Sequence, residues 1–320
     1  MNPEAFLADL ERKPEMLRAL ADFLDAGSPW PSVAPTRVVM IGMGSSRYAA
    51  GVVATRLRAA GIDACAEYAS LERGTPAGSG VLAVGISAGG STEETIEALA
   101  KHRGSSDTVA LTNRVGASIE RAADSVVPML AGDEDGGVAC RSFQHTLVSL
   151  MVLEAALTGG TVASVADVVR RTAAATEDLL DRRDAWLPGV ADLLGEGSAT
   201  FAVAPAERLA SAEQGALMFR EGPRRTADAC EAGDWLHVDV YLTKPLDYRA
   251  LVFAGSRFDA AIMAWMRDRG ARVVAVGRDV GDADVVVRYR HDDEPQVALL
   301  TEVLIAELVA ARWWTARGDA

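Results

Sequence analysis

Lysine is nearly absent from this chain: Lys13, Lys101 and Lys244 are the only three, and arginine supplies the remaining basic charge, which reads as compositional bias. Cysteine is equally sparse. Cys65, Cys140 and Cys230 are odd in number and widely separated, which gives neither a disulfide framework nor a metal-ligand pattern and leaves buried thiols as the expectation. No His/Cys/Asp spacing suits a metal, so neither a metal nor a cofactor is expected. No apolar run reaches the roughly 18 residues of a membrane span, and the start, Met1–Asp9, carries acids where a signal peptide has a basic flank. Membrane association is therefore not expected, and the cytoplasm is the expected location. No basic stripe is interleaved with aromatics, and a formal net charge of −13 repels polyanions, so nucleic acid is not an expected partner. A small phosphorylated ligand stays open, because local donors can hold it against the global charge.

With 49% apolar residues over 320 positions, the chain can bury a large core, in one big or two medium domains. The apolar positions from Phe6 to Leu24 predict two helical pieces meeting at Pro14, and the Gly/Pro/Ser-rich stretch 27–35 reads as a linker. Strands follow at 37–41, 63–68, 81–86, 108–111 and 125–129, with helical segments between most of them. Strand and helix in alternation predict an α/β fold with a doubly wound parallel sheet, in which ligands sit at the carboxyl ends of strands. Two small-residue loops fall at such ends: Gly42-Met-Gly44-Ser45-Ser46 after the first strand and Ser87-Ala-Gly89-Gly90-Ser91-Thr92 after the third. A third flexible loop, Ala131-Gly-Asp-Glu134-Asp-Gly-Gly-Val-Ala-Cys140, precedes a helix at about 141–157. One helical stretch is expected from about 164 to 194.

From residue 199 the pattern restarts as a degenerate second copy. Strands are expected at 200–205, 250–254, 272–276 and 284–288, and helices at 207–221, 257–269 and 294–314, without the Gly/Ser clusters. The expected organisation is thus a helical segment at 1–35, a first subdomain at 36–163, connecting helices at 164–198 and a second subdomain at 199–320. The absence of Gly/Ser clusters from the second copy predicts one phosphate site per chain.

The Ser87 loop is the chemically richest stretch. Glycines let consecutive N–H groups point into one concavity, hydroxyls add donors, and the next helix offers unpaired amides and the positive end of its dipole. An oxyanion fits there without a lysine; an ordinary capped strand-to-helix turn is the plainer alternative. In the second half, Gly222-Pro223 places Glu221 at a helix C-terminus. The negative end of the dipole there raises a carboxyl pKa, which suits a proton shuttle; a solvated Glu221 paired with Arg220, Arg224 or Arg225 is the competing reading. His237 lies in or just after a Gly-Asp loop. His102 and His291 read as surface residues, and His145 as a residue able to line the site.

Gly42-Met-Gly-Ser-Ser46, Ile86-Ser-Ala-Gly-Gly-Ser-Thr92, Ala110-Leu-Thr-Asn-Arg-Val-Gly-Ala-Ser118 and Ala131-Gly-Asp-Glu134, in this order, resemble the successive signatures of sugar isomerase (SIS) domain proteins, above all the isomerase half of glucosamine-6-phosphate synthase. The resemblance covers nearly the whole chain. It implies two tandem SIS subdomains and a homodimer with a shared active site. It also implies a phosphosugar held by Gly44, Ser45, Ser46, Ser87, Gly89, Gly90, Ser91, Thr92 and Glu134. Glu221 is implied as the base moving a proton between C1 and C2, and His237, sixteen positions on as in the family, as the ring opener, often across the dimer interface.

This sequence also departs from the family. Ala88 and Gly89 stand where Gln and Ser are usual, Met218 replaces a helix lysine, Arg141 stands at the lysine of the third loop, and the tail from Trp314 to Ala320 lacks a lysine. No glutaminase domain is expected, and the resemblance then excludes full synthase activity. The readings are a phosphosugar isomerase or amino-sugar-phosphate deaminase/isomerase, and, as the alternative, a non-catalytic phosphosugar sensor. A dinucleotide enzyme is a weaker fit: Gly42-x-Gly44 follows a strand and Glu67 ends the next, but Arg47 sits where that fingerprint needs a third glycine.

Overall fold

Proline sets the beginning of the chain. Helix α1 (Pro3–Glu11) carries Pro3 in its first turn, where no intrahelical amide is required, and the Asn2 side chain caps it by accepting from the Ala5 amide at 2.9 Å. Helix α2 (Lys13–Asp25) takes Pro14 into its own first turn, so the interruption there is a helix start. The computed structural model describes residues 1–318, and these fall into two units. The N-terminal unit comprises Met16–Asp133 and Arg141–Arg170; the C-terminal unit comprises Met1–Glu15, Glu134–Cys140 and the chain from Arg171 onward.

The N-terminal unit is built on β1 (Arg37–Gly42), α3 (Ser45–Ala59), β2 (Asp63–Tyr68), β3 (Val81–Ile86), α4 (Glu93–Ala100), β4 (Asp107–Thr112), β5 (Ser125–Pro128) and α5 (Arg141–Thr158). Its strands lie in the order β2-β1-β3-β4-β5, with every pair parallel. Central β3 is buried at all its residues, as expected of a parallel strand covered on both faces. Because β1 has β2 on one side and β3 on the other, the chain reverses its direction of travel at the β1/β3 boundary. That opens a crevice above their carboxyl ends.

The connecting helices expected from about 164 are α6 (Val162–Asp181) and α7 (Arg183–Gly195), separated where Asp181-Arg182-Arg183-Asp184 offers no apolar residue to continue a buried stripe. The second sheet follows with β6 (Ala199–Ala204), α8 (Leu209–Glu221), β7 (Thr226–Glu231), α9 (Ala232–Trp235), β8 (Arg249–Phe253), α10 (Asp259–Asp268), β9 (Arg272–Val276), β10 (Val285–Val287), α11 (Pro295–Thr301) and α12 (Val303–Arg317). Its order is β10-β9-β8-β6-β7, again all parallel. Counted within its own half, each sheet reads 2-1-3-4-5, so the second repeats the topology of the first. Strand β7 was not expected from the sequence: it is an edge strand whose Thr226 and Asp228 face solvent, which removes the apolar run that marks a buried strand.

Below the second sheet, Phe201 stacks on Tyr248 with ring centroids 4.2 Å apart, and Trp235 Nε1 donates to Tyr248 Oη at 2.9 Å. Helix α12 is buried on all sides from Val303 to Ala311 and packs against α1, α7 and α8. Within this packing Lys13 forms an ion pair with Glu307, both side chains fully inaccessible to solvent. The final helix is divided at Glu302, where a buried carboxylate pairs with Arg208. Asp319 and Ala320, the end of the tail expected without a lysine, lie outside the described residues. Among the described residues no helix is long and apolar enough to cross a membrane, and no group of three or more His, Cys, Asp or Glu could hold a metal.

Candidate functional site

Both small-residue loops stand on the carboxyl ends of β1 and β3, the adjacent strands that flank the crevice of the first sheet. Gly44 caps α3 with φ +49°, a left-handed conformation that side-chain-bearing residues enter at a cost, and Ser45 and Ser46 open the helix behind it. Gly90 has φ +65°, and a Cβ there would lie 2.3 Å from the Ala117 Cβ and 2.9 Å from Thr112 Oγ1. The Ser87 loop is therefore clamped around a position that only glycine fits. Its hydroxyls are organised internally: Ser87 Oγ lies 3.0 Å from Thr92 Oγ1 and accepts from the Gly90 amide at 3.1 Å. The backbone is fixed by Ser87 N donating to the Leu111 carbonyl at 3.1 Å and by Ile119 N donating to the Gly90 carbonyl at 2.9 Å.

What this leaves open is a set of donors. Among the described residues, the amides of Gly89, Ser91 and Thr92 reach no protein acceptor. The orphan amides of the first turn of α4 add to them, together with the positive end of its dipole. A carboxylate or phosphate is the natural complement. The N-terminal unit thus brings together Gly44, Ser45, Ser46, Ser87, Gly89, Gly90, Ser91 and Thr92.

The matching crevice of the second sheet, between β6 and β8, is filled by the chain itself. Asp259, on the first turn of α10, accepts from the Gly255 amide at 2.7 Å and the Ser256 amide at 3.2 Å, which is where an external anion would sit. Arg208 donates to the carbonyls of Ala254 at 2.5 Å and Phe253 at 3.4 Å, and its Nε lies 3.0 Å from Glu302 Oε1. Burial raises the Asp259 pKa, opposed first by those two amides. This filling is a physical account of why phosphate-type donors stay open in only one of the two sheets.

The C-terminal unit holds Glu134, Glu221 and His237. Glu221 ends α8, as Gly222-Pro223 predicts, and is half-buried. Its carboxylate has no hydrogen bond or ion pair among the described residues. Two of the three neighbouring arginines are engaged elsewhere: Arg220 Nε donates to the Ala216 carbonyl at 3.2 Å, and Arg225 Nη2 donates to the carbonyls of Gly195 and Gly197 at 2.7 and 3.0 Å. Burial pushes the Glu221 pKa up, with the nearby Arg220 charge pulling the other way. A carboxyl of this kind both takes and returns a proton more readily near neutrality than a solvated one. Desolvation thus adds to the helix dipole in raising the Glu221 pKa. His237 lies exposed in the turn after α9, its amide bonded to the Asp234 carbonyl at 2.8 Å. Glu134 is half-buried, and its Oε1 accepts from the Cys140 amide at 2.7 Å.

Other residues singled out from the sequence have different roles. Arg141, placed where the family has a lysine, is fully buried and its guanidinium donates to the Asp133 carbonyl, which makes it a support for the loop. His145 is buried, with Nδ1 2.9 Å from the Met129 carbonyl. His102 was expected on the surface and is only 3% exposed; Nδ1 lies 3.3 Å from Ser106 Oγ and burial lowers its pKa. It lines a cleft of about 280 Å³ at the ends of β1 and β2 together with Glu67, Thr75 and Lys101. Met218 is 1% exposed, so the position of the family's helix lysine is packed as core.

Residues 33–158 match the family described as SIS domain. A curated relative, glutamine–fructose-6-phosphate aminotransferase (isomerizing) from Sulfurisphaera tokodaii, is 25% identical over 283 residues, covering 86% of this chain and 46% of that protein. The chain spans less than half the length of the curated relatives it matches. The C-terminal domain of glucosamine-fructose-6-phosphate aminotransferase from Francisella tularensis superposes with a TM-score of 0.86 at 18% identity, over 99% of this chain and 97% of that one. A glucosamine-6-phosphate deaminase from Thermotoga maritima superposes with a TM-score of 0.77 at 17% identity, over 99% and 96%. Residues 33–158 thus carry the SIS domain signature, and over its whole length the chain has the fold of these neighbours, two tandem parallel-sheet subdomains of one topology.

Proposed function

We propose that this protein binds a sugar phosphate at the Ser46 and Ser87 loops and moves a proton between C1 and C2 of the bound sugar, as a phosphosugar isomerase or an amino-sugar-phosphate deaminase/isomerase. The observation that carries the reading is Glu221: a half-buried carboxylate at a helix end, with no partner among the described residues and a pKa raised by burial. A base that must accept a carbon-bound proton and give it back at the neighbouring carbon works best when its pKa lies near the operating pH. Gly44, Ser45, Ser46, Ser87, Gly89, Gly90, Ser91 and Thr92 hold the phosphate, Glu134 contacts the sugar, and His237 assists ring opening. An exposed His237 suits delivery to a second copy of the chain in a homodimer with a shared active site.

Solvent deuterium incorporation at C2 of hexose and hexosamine 6-phosphates, followed by NMR, tests this. Exchange that is lost in Glu221→Gln, with ligand binding retained, supports an enzyme. A second reading, a phosphosugar sensor without turnover, is favoured by the buried Met218 in place of a lysine and by Ala88-Gly89 in the phosphate loop. Saturable binding with no exchange at C2 in the wild-type protein selects that reading.

A further inference from the structure

The loop that bears Glu134 belongs to the C-terminal unit and is tied down there from two directions. Helix α1 holds its middle: Asp9 Oδ2 accepts from the Gly136 amide at 2.8 Å, and the Asn2 amide donates to the Gly136 carbonyl at 3.1 Å. Helix α8 holds its end. Gln214, with no solvent exposure, donates from Nε2 to the Ala139 carbonyl at 2.8 Å. The acceptor fixes which end of the amide faces it, since the Gln214 oxygen would repel a carbonyl. Nε2 also lies 3.7 Å from Met218 Sδ, a weak acceptor, and Oε1 has no partner among the described residues, so the bond to Ala139 is the stronger tie of this side chain.

The carbonyl of Ala139 and the amide of Cys140 are two ends of one planar peptide group. The carbonyl end accepts from Gln214, and the N–H end donates to Glu134 Oε1 at 2.7 Å. Turning that plane at one end turns it at the other. Gln214, Met218 and Glu221 also recur at i, i+4 and i+7, so they share one face of α8. We infer that Gln214 is a positioning residue: through the Ala139–Cys140 peptide it sets the Glu134 carboxylate, fixing it relative to the helix that ends on Glu221. Its effect on ligand rests on the proposed function; its effect on the loop does not.

Gln214→Met keeps the volume and removes the donor, and Gln214→Glu keeps the shape and donates only when protonated. The first readout is independent of any sugar: in hydrogen exchange by mass spectrometry, peptides spanning 138–142 exchange at least tenfold faster in Gln214→Met, while the strands of the second sheet are unchanged. The second uses glucosamine 6-phosphate, fructose 6-phosphate and inorganic phosphate as probes. Gln214→Met weakens sugar phosphate binding about five- to tenfold, the size expected for one hydrogen bond to a charged group's support, and leaves inorganic phosphate unchanged. In Glu134→Ala, adding Gln214→Met causes no further loss, and Gln214→Glu recovers sugar affinity as pH falls. Unchanged exchange at 138–142 overturns the inference, as do additive losses in the double variant. If no sugar phosphate binds the wild-type protein, the proposed function fails and the exchange measurement alone decides this inference.

Discussion

Replacing Lys13 by methionine isolates the consequence of burying a charge. Lys13 and Glu307 are both fully inaccessible, one at the start of α2 and the other in the all-round buried part of α12. Burial pushes the Glu307 pKa up, Lys13 is the chief influence holding it down, and the nearby Glu134 raises it further. Deleting one partner of such a pair leaves an uncompensated buried charge at a cost of about 3–5 kcal/mol, while replacing both by apolar residues is neutral or better. The pH dependence has a definite sign. A carboxyl whose folded pKa lies above its unfolded value binds more protons when folded, so stability is lost as pH rises from the unfolded value through the folded one. Without Lys13 the raising is stronger, so the deficit of Lys13→Met is largest at neutral pH and shrinks as pH is lowered toward the ordinary Glu value of 4.5. Urea unfolding followed by tryptophan fluorescence reads it directly, because Trp186, Trp235, Trp265, Trp313 and Trp314 all belong to the C-terminal unit and only Trp30 does not. Lys13→Met with Glu307→Leu should return stability to within about 1 kcal/mol of wild type. A single variant that loses less than about 1 kcal/mol, or a double variant as unstable as the single, refutes the assignment of this pair as a buried ion pair.

Three further outcomes are expected. Gly90→Ala must enter a left-handed conformation and crowd Ala117, which costs roughly 1–2 kcal/mol for the conformation and about 1–3 kcal/mol for the overlap. Thermal unfolding and phosphate binding both register it, and a shift below about 0.5 kcal/mol contradicts the clamped loop. Arg220 holds the Glu221 pKa down, so Arg220→Gln should move the acidic limb of the rate profile, or of C2 exchange, to higher pH; a move to lower pH counts against Glu221 as the titrating base. Burial raises the thiol pKa of all three cysteines, that of Cys230 to about 12, and Cys140 and Cys230 are also shielded. Native protein should therefore react with a thiol reagent at Cys65 alone, and slowly, with the other two appearing only in denaturant.

Much of the fold and part of the site were legible beforehand because their signals are local. A strand followed by Gly44-Ser-Ser46 or by Ser87-Ala-Gly-Gly-Ser-Thr92 fixes where a chain turns and which amides it bares. Gly222-Pro223 fixes where α8 must stop, and with it the place of Glu221. The restart of strand and helix after residue 199 announced a second sheet. Strand β7 escaped because its exposed edge carries polar residues, and the boundary between the two connecting helices was not placed because an alanine-rich stretch reads as helix on either side of Arg182.

The sequence alone determined the alternation of elements, the two baring loops of the first sheet and the carboxylate at the end of α8, since each depends on residues within a turn or two of one another. Only the tertiary structure decided that Asp259 and Arg208 fill the second crevice, that His102 and His145 are interior, and that Gln214 and Glu134 meet through one peptide group. Those facts rest on partners brought close by folding, 75 positions apart for Gln214 and Ala139 and 294 for Lys13 and Glu307. Burial, which raises the pKa of Glu221 and Glu307, is a property of what packs around a residue and not of its neighbours in the chain.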